Sequence, residues 1–136
     1  MSDLATAKAF FEACESGGGW ARCAAYCTPD AGFNAQAAAL ADIRTLAQYT
    51  DWMQGILGVL TDGRYDLHAF AEDAARGQVV ACATFTGTHR AGGPVPPTGR
   101  TTRTHYVYVM RFRDGRITHM TKIWNDAYAL KELGWA

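Results

Sequence analysis

The sequence predicts an α+β domain: a curved antiparallel sheet wrapped around N-terminal helices, cone-shaped, with an internal cavity between the two layers. Three observations carry that reading. Apolar residues recur at helical spacing in several segments between Leu4 and Leu60. From Arg64 the period falls to two, and four long runs rich in β-branched and aromatic residues follow one another as a meander. A short amphipathic stretch after Trp124 closes the chain. At 136 residues this is one domain, 1–136, long enough to bury roughly two-thirds of its unfolded surface.

Ser2 or Asp3 caps a first helix whose apolar stripe is Leu4, Ala7, Phe10, Phe11 and Cys14. Ser16-Gly17-Gly18-Gly19 ends it; no Lys-Ser/Thr follows and no strand precedes, so the glycines are a connector and not a phosphate cradle. A second short helix covers about Trp20–Cys27 and stops at Thr28-Pro29-Asp30. Ala31–Gln36 reads as a brief strand that brings Phe33, and Asn34 or Gln36, near the interior; Ala37–Arg44 reads as loop or a single turn. Thr45 caps a helix to about Leu60, with Leu46, Tyr49, Trp52, Met53, Ile56, Leu57 and Leu60 as its wide apolar face. That helix is the natural lid on the sheet.

Arg64–Glu72 alternates Tyr65, Leu67 and Ala69 with polar residues until Phe70 breaks the pattern. Gln78–His89 is a long strand, and Ala91–Gly99 is a Pro/Gly loop that cannot continue a ladder. Thr101–Phe112 and Ile117–Trp124 flank Asp114-Gly115 and form a long hairpin. Asn125 or Asp126 caps the final helix, with Leu130 and Leu133 as its apolar face, Gly134 as its stop and Trp135 as a staple onto the core.

The hairpin is apolar on both faces, so it must be covered twice. Thr104, Tyr106, Tyr108 and Met110 share one side, and His105, Val107, Val109 and Arg111 the other. On the return strand Thr118, Met120, Lys122 and Trp124 alternate with Ile117, His119, Thr121 and Ile123. Two turns are open. A two-residue loop pairs Phe112 with Ile117 and sets Tyr108 with Thr121; a turn closed by a left-handed glycine pairs Phe112 with Arg116 and sets Tyr108 opposite Met120 and Tyr106 opposite Lys122. The choice decides whether Lys122 or His119 joins the tyrosines.

Thirteen basic residues balance thirteen acidic ones, so no basic field exists for nucleic acid. No apolar run reaches the length of a membrane span, and no signal segment opens the chain, so the expectation is a cytoplasmic protein. The four cysteines (Cys14, Cys23, Cys27, Cys82) read as small core residues. His68, His89, His105 and His119 offer no converging set of ligands, so no metal is expected.

Gly87-Thr88-His89, Pro96–Arg100 (PPTGR), Phe112–Ile117 (FRDGRI) and Ala129–Gly134 (ALKELG) resemble the SnoaL-like polyketide cyclases, members of the nuclear transport factor 2-like fold that includes ketosteroid isomerase. The resemblance implies a cofactor-independent intramolecular aldol reaction using a pocket aspartate and a histidine. Aligned through DGRI, the aspartate position falls on Lys122 and the histidine position on Tyr108. The resemblance favours the glycine-closed turn and an inward face of Tyr106, Tyr108, Met120, Lys122 and Trp124.

Lys122 and Tyr108 are therefore the candidate catalytic pair, with Tyr106, Met120, Trp124, Trp52 and Phe85 as ligand-binding residues. A lysine among aromatic rings loses hydration, so its amine can act as base or Schiff-base nucleophile, or its ammonium can hold an enolate or carboxylate. The alternative is an ion pair with Asp42 or Asp51, either of which can also face the cavity as base. The expected ligand is a small apolar molecule bearing a carbonyl. Three classes remain: a cyclase, isomerase or dehydratase acting by proton transfer, a non-catalytic binding domain, and an interaction module without ligand whose cavity its own side chains would fill. Outward Val107, Val109, Ile117 and Ile123 imply a homodimer.

Overall fold

The computed structural model describes Met1–Ala136. Helix α1 (Asp3–Glu15) is capped by the Ser2 hydroxyl, and α2 (Gly19–Cys23) follows the glycine connector. Strand β1 (Cys27–Ala35) leads to α3 (Leu46–Leu57), where Thr45 and Gln48 form a reciprocal capping box. Strands β2 (Arg64–Asp73), β3 (Gln78–Thr88), β4 (Thr101–Arg113) and β5 (Arg116–Trp124) then form the meander, and α4 (Asp126–Leu133) closes the chain.

The sheet is curved, unclosed and ordered β1-β5-β4-β3-β2. The meander is antiparallel throughout, whereas β1 joins β5 in parallel at the edge. This strand is longer than expected and runs through Thr28-Pro29-Asp30, because an edge strand with an irregular register between Cys27 and Gly32 tolerates a proline. Phe33 points into the core, while Asn34 and Gln36 are exposed. Helices α1 and α3 cover the inner face with Ala7, Phe10, Phe11, Leu46, Tyr49 and Met53.

Two bulges shape the sheet. His68 is the extra residue on β2, between the pairs Leu67–Ala83 and Ala69–Cys82. It flips the face, so Tyr65 and Phe70 both meet the Phe11 ring, at centroid distances of 5.1 and 5.4 Å. Thr118 is the extra residue on β5, between Phe112–Ile117 and Arg111–His119. Asp114 and Gly115 both have positive φ, 52° and 79°, so the loop is the two-residue form. The glycine-closed alternative is thus corrected. The bulge nevertheless keeps Lys122 and Trp124 on the tyrosines' face, but Tyr108 pairs with Lys122 and Tyr106 with Trp124, each two residues beyond the partner the glycine-closed turn implied. It also turns Ile117 inward, fully buried, where an outward position was expected.

Candidate functional site

Between the inner face of the sheet, α3 and α4 lies a cavity of about 270 Å³. Trp52, Met53 and Ile56 of α3, Phe85 of β3, Thr102, Thr104 and Tyr106 of β4, and Lys122 and Trp124 of β5 line it. Leu130, Leu133 and Trp135 close it from the C-terminal end. Five of the seven expected site residues therefore meet here: Lys122, Tyr106, Trp124, Trp52 and Phe85. Tyr108 and Met120 do not line the cavity. Both are fully buried, Tyr108 behind the wall between two other polar groups and Met120 paired with Met110 in the core.

Lys122 is only 6% exposed, and its Nζ lies 4.3 Å from the Trp124 ring centre, 5.0 Å from Tyr49, 5.3 Å from Trp52, 5.5 Å from Tyr106 and 5.9 Å from Tyr108. Such a box attracts a cation through the ring faces. Burial pulls the amine down to about 8, against the opposing pull of the Glu15 charge. None of the ion pairs with N···O within 4.0 Å includes Lys122. Asp42 and Asp51, expected as its partners or as a cavity base, are exposed, and Asp51 instead accepts the Trp20 backbone N–H at 2.9 Å.

The carboxylate of the site is Glu15, at the end of α1, 4% exposed and lining the cavity. Tyr106 Oη donates to its Oε1 at 2.5 Å and Tyr108 Oη to its Oε2 at 2.9 Å. Burial raises its pKa, while the Tyr106 bond, the Lys122 charge and the Tyr108 bond hold it down. Lys122 Nζ donates to Tyr49 Oη at 2.9 Å, and Tyr49 and Tyr108 hydroxyls are 2.5 Å apart. Tyr108 gives its proton to Glu15, so Tyr49 is the donor to Tyr108. Every bond from Lys122 to Glu15 thus runs in one direction.

Glu15 escapes a reading by composition because it ends a helix and precedes a glycine connector. Its signal was spacing: it lies four residues after Phe11 and eight after Ala7, so it continues the buried stripe. A carboxylate in the last turn is opposed by the helix dipole as well as by burial. Such a cost is expected at a working site.

The histidines bond within the protein. His89 is fully buried; its Nε2 donates to Gly92 O at 2.7 Å, and its Nδ1 accepts from the Thr98 N–H at 3.2 Å and the Trp135 indole at 3.0 Å. On the outer face Thr84 Oγ1 bridges His68 and His105, and His119 bonds Asn34. No group of three or more metal-ligating side chains occurs. All four cysteines are free: Cys14, Cys23 and Cys27 are buried, and Cys82 is partly so.

The SnoaL-like domain profile matches residues 7–120. The chain belongs to the SnoaL-like family. A search of curated proteins found no match. Solved structures of this SnoaL-like shape include IdmH, a proposed polyketide cyclase from Streptomyces antibioticus, at 22% identity and TM-score 0.80 over 98% of this chain and 99% of that one. AclR, a proposed hydroxylase from Streptomyces galilaeus, aligns at 21% identity and TM-score 0.77 over 98% and 85% of the two chains. A proposed SnoaL-like polyketide cyclase from Jannaschia sp. CCS1 aligns at 14% and 0.79 over 98% and 92%. At these identities the neighbours establish the fold, and the chemistry must be argued from this chain's own residues.

Proposed function

We propose that this SnoaL-like domain is a cofactor-independent enzyme of the cyclase, isomerase or dehydratase type, acting by proton transfer on a small apolar carbonyl compound. One observation carries the reading: a buried amine, a buried carboxyl and a phenol line the same mostly apolar cavity. The Lys122 ammonium is placed to hold the negative oxygen of an enolate, where low dielectric strengthens the attraction. Glu15 and Tyr106 supply the acid/base function that the family's aspartate and histidine would otherwise provide. The polyketide cyclases among the structural neighbours agree with carbonyl chemistry, and AclR leaves the reaction type open.

The test is α-hydrogen exchange in deuterated water, followed by NMR, with one- and two-ring ketones. The wild type should exceed Lys122→Met by about 10²-fold or more, while quenching of the cavity tryptophans shows that both proteins bind the ketone. Equal exchange in the two would remove the catalytic reading and leave a ligand-binding domain, the second class the sequence allowed.

The domain is further proposed to work as a homodimer joined through the outer face of the sheet. Ile123 is 60% exposed there, and Val107 and Val109 are half-buried beside it. Ile123→Glu should then shift the sedimenting species to half its mass. No helix is long and apolar enough to cross a membrane, and four unpaired cysteines fit a reducing compartment such as the cytoplasm.

A further inference from the structure

We infer that Lys122 is a covalent nucleophile, forming a Schiff base with an aldehyde or ketone of one or two rings, and that Tyr49, Tyr108 and Glu15 conduct the protons of that step. The inference rests on the carbonyl-binding reading above but names a different bond-making event. An ammonium has three N–H donors, and Lys122 spends one, on Tyr49. Its side chain lines the cavity and has no carboxylate at ion-pair distance. Two N–H bonds of the ammonium therefore have no protein acceptor.

The hydrogen-bond chain provides the deprotonation. A proton leaves Nζ for Tyr49, the Tyr49 proton moves to Tyr108, and the Tyr108 proton moves to Glu15 Oε2. The result is a neutral amine and a neutral carboxylic acid, reached without bulk water. The nitrogen lone pair attacks the carbonyl carbon, and the C=O π electrons move to oxygen. Glu15 lines the same cavity and returns its proton to that oxygen. A second proton from nitrogen lets the oxygen depart as water while the C=N bond forms. The balance closes: ammonium plus carbonyl gives protonated imine plus water, with net charge unchanged. The imine keeps a positive charge on nitrogen, so the aromatic box that held the ammonium holds the product too.

Two further features agree. With the amine near 8, about a tenth of it is neutral at neutral pH, in the manner of lysines activated by desolvation. An apolar cavity of roughly 150 Å³ takes up benzene, so about 270 Å³ accommodates one or two rings.

The chain has three lysines, and Lys8 and Lys131 are exposed, which makes trapping decisive. Wild-type protein is incubated near neutral pH with benzaldehyde or 2-indanone and sodium cyanoborohydride, then mapped by peptide mass. A reduced adduct concentrated on Lys122 is the expected result, with none at that position in Lys122→Arg. Tyr108→Phe, which interrupts the chain but keeps both ends, should slow trapping at least tenfold. Labelling confined to Lys8, Lys131 and the N-terminus overturns the inference. No adduct despite tryptophan quenching by the same carbonyls overturns it too, and leaves the non-covalent proton-transfer reading standing. No quenching at all removes both. An unchanged rate in Tyr108→Phe removes the conducting role of the tyrosines.

Discussion

His89 and Lys122 are both buried, both ionisable and both close to the same cavity, yet they are placed for different work. His89 has its whole hydrogen-bonding capacity taken by the protein: a carbonyl on one nitrogen, a backbone N–H and an indole N–H on the other. It pins the Pro/Gly loop and the C-terminal Trp135 to the end of β3, and it has no valence to offer a ligand. Lys122 has one protein acceptor, five aromatic rings and a cavity. Burial alone therefore does not distinguish structure from function. Saturation does: a buried polar group with unspent capacity facing a void is the one to suspect.

The largest effect should come from breaking the acid/base partner of Lys122. Glu15→Gln keeps the shape and can still accept from a tyrosine, but it can neither take up nor return a proton. Turnover on a responsive ketone should fall by about 10²–10⁴-fold. The Lys122 amine should titrate below its wild-type value, because the negative charge that favours the ammonium is gone. Side-chain NMR of the lysine measures that shift, and a rise would contradict the electrostatic pairing.

Next in size is the dependence of stability on pH. Lys122 titrates near 8 in the folded chain against 10.5 when free. Between those values the unfolded chain binds the extra proton, so stability rises with pH across that window, by about 3 kcal/mol. Glu15 acts in the opposite sense: its raised pKa gives a contribution present at low pH and lost as pH climbs above 4.5 towards its folded value. Urea melts of wild type and Lys122→Met should diverge between pH 8 and 10.5, the variant lacking the rise. Parallel curves would mean that the ammonium reaches solvent.

The architecture was legible because it depends on periodicity, which every residue of an element reports. The helices, the meander and the hairpin follow from spacing alone. The inward face survived even though the expected turn was wrong, and the reason is parity. A two-residue loop followed by one bulged residue restores the alternation that a glycine-closed turn would have produced. A bulge leaves no mark beyond a pattern that slips by one, as at Phe70 after His68. Glu15 was less legible because its partners are two tyrosines and a lysine that are distant in sequence. A helical pattern cannot announce partners on another element. Asp42 and Asp51 were attractive for their place near α3, but exposed positions cost a carboxylate nothing, and that is where they lie.

The structural side of the comparison yields smaller effects with no change in chemistry. His89→Ala orphans the Thr98 N–H and the Trp135 indole, and should cost roughly 2 kcal/mol in chemical denaturation, with the Lys122 titration unmoved. If that titration shifted, His89 would belong to the site.

The smallest effect expected is from Thr98→Val, which tests the anchoring of the loop without touching an ionisable group. Thr98 Oγ1 donates to Leu133 O at 2.7 Å and accepts from the Arg100 N–H at 3.2 Å, tying the loop to the end of α4. Valine keeps the volume and the backbone N–H that His89 accepts, so only the hydroxyl bonds are lost. One net hydrogen bond is worth about 1 kcal/mol. Leu133 and Trp135 close the cavity, so loosening their tether should speed ligand entry and exit together and leave affinity nearly unchanged. Stopped-flow tryptophan quenching by 2-indanone separates the two rates. A large loss of affinity would show that the C-terminal wall contributes binding energy of its own and does not merely shut the cavity.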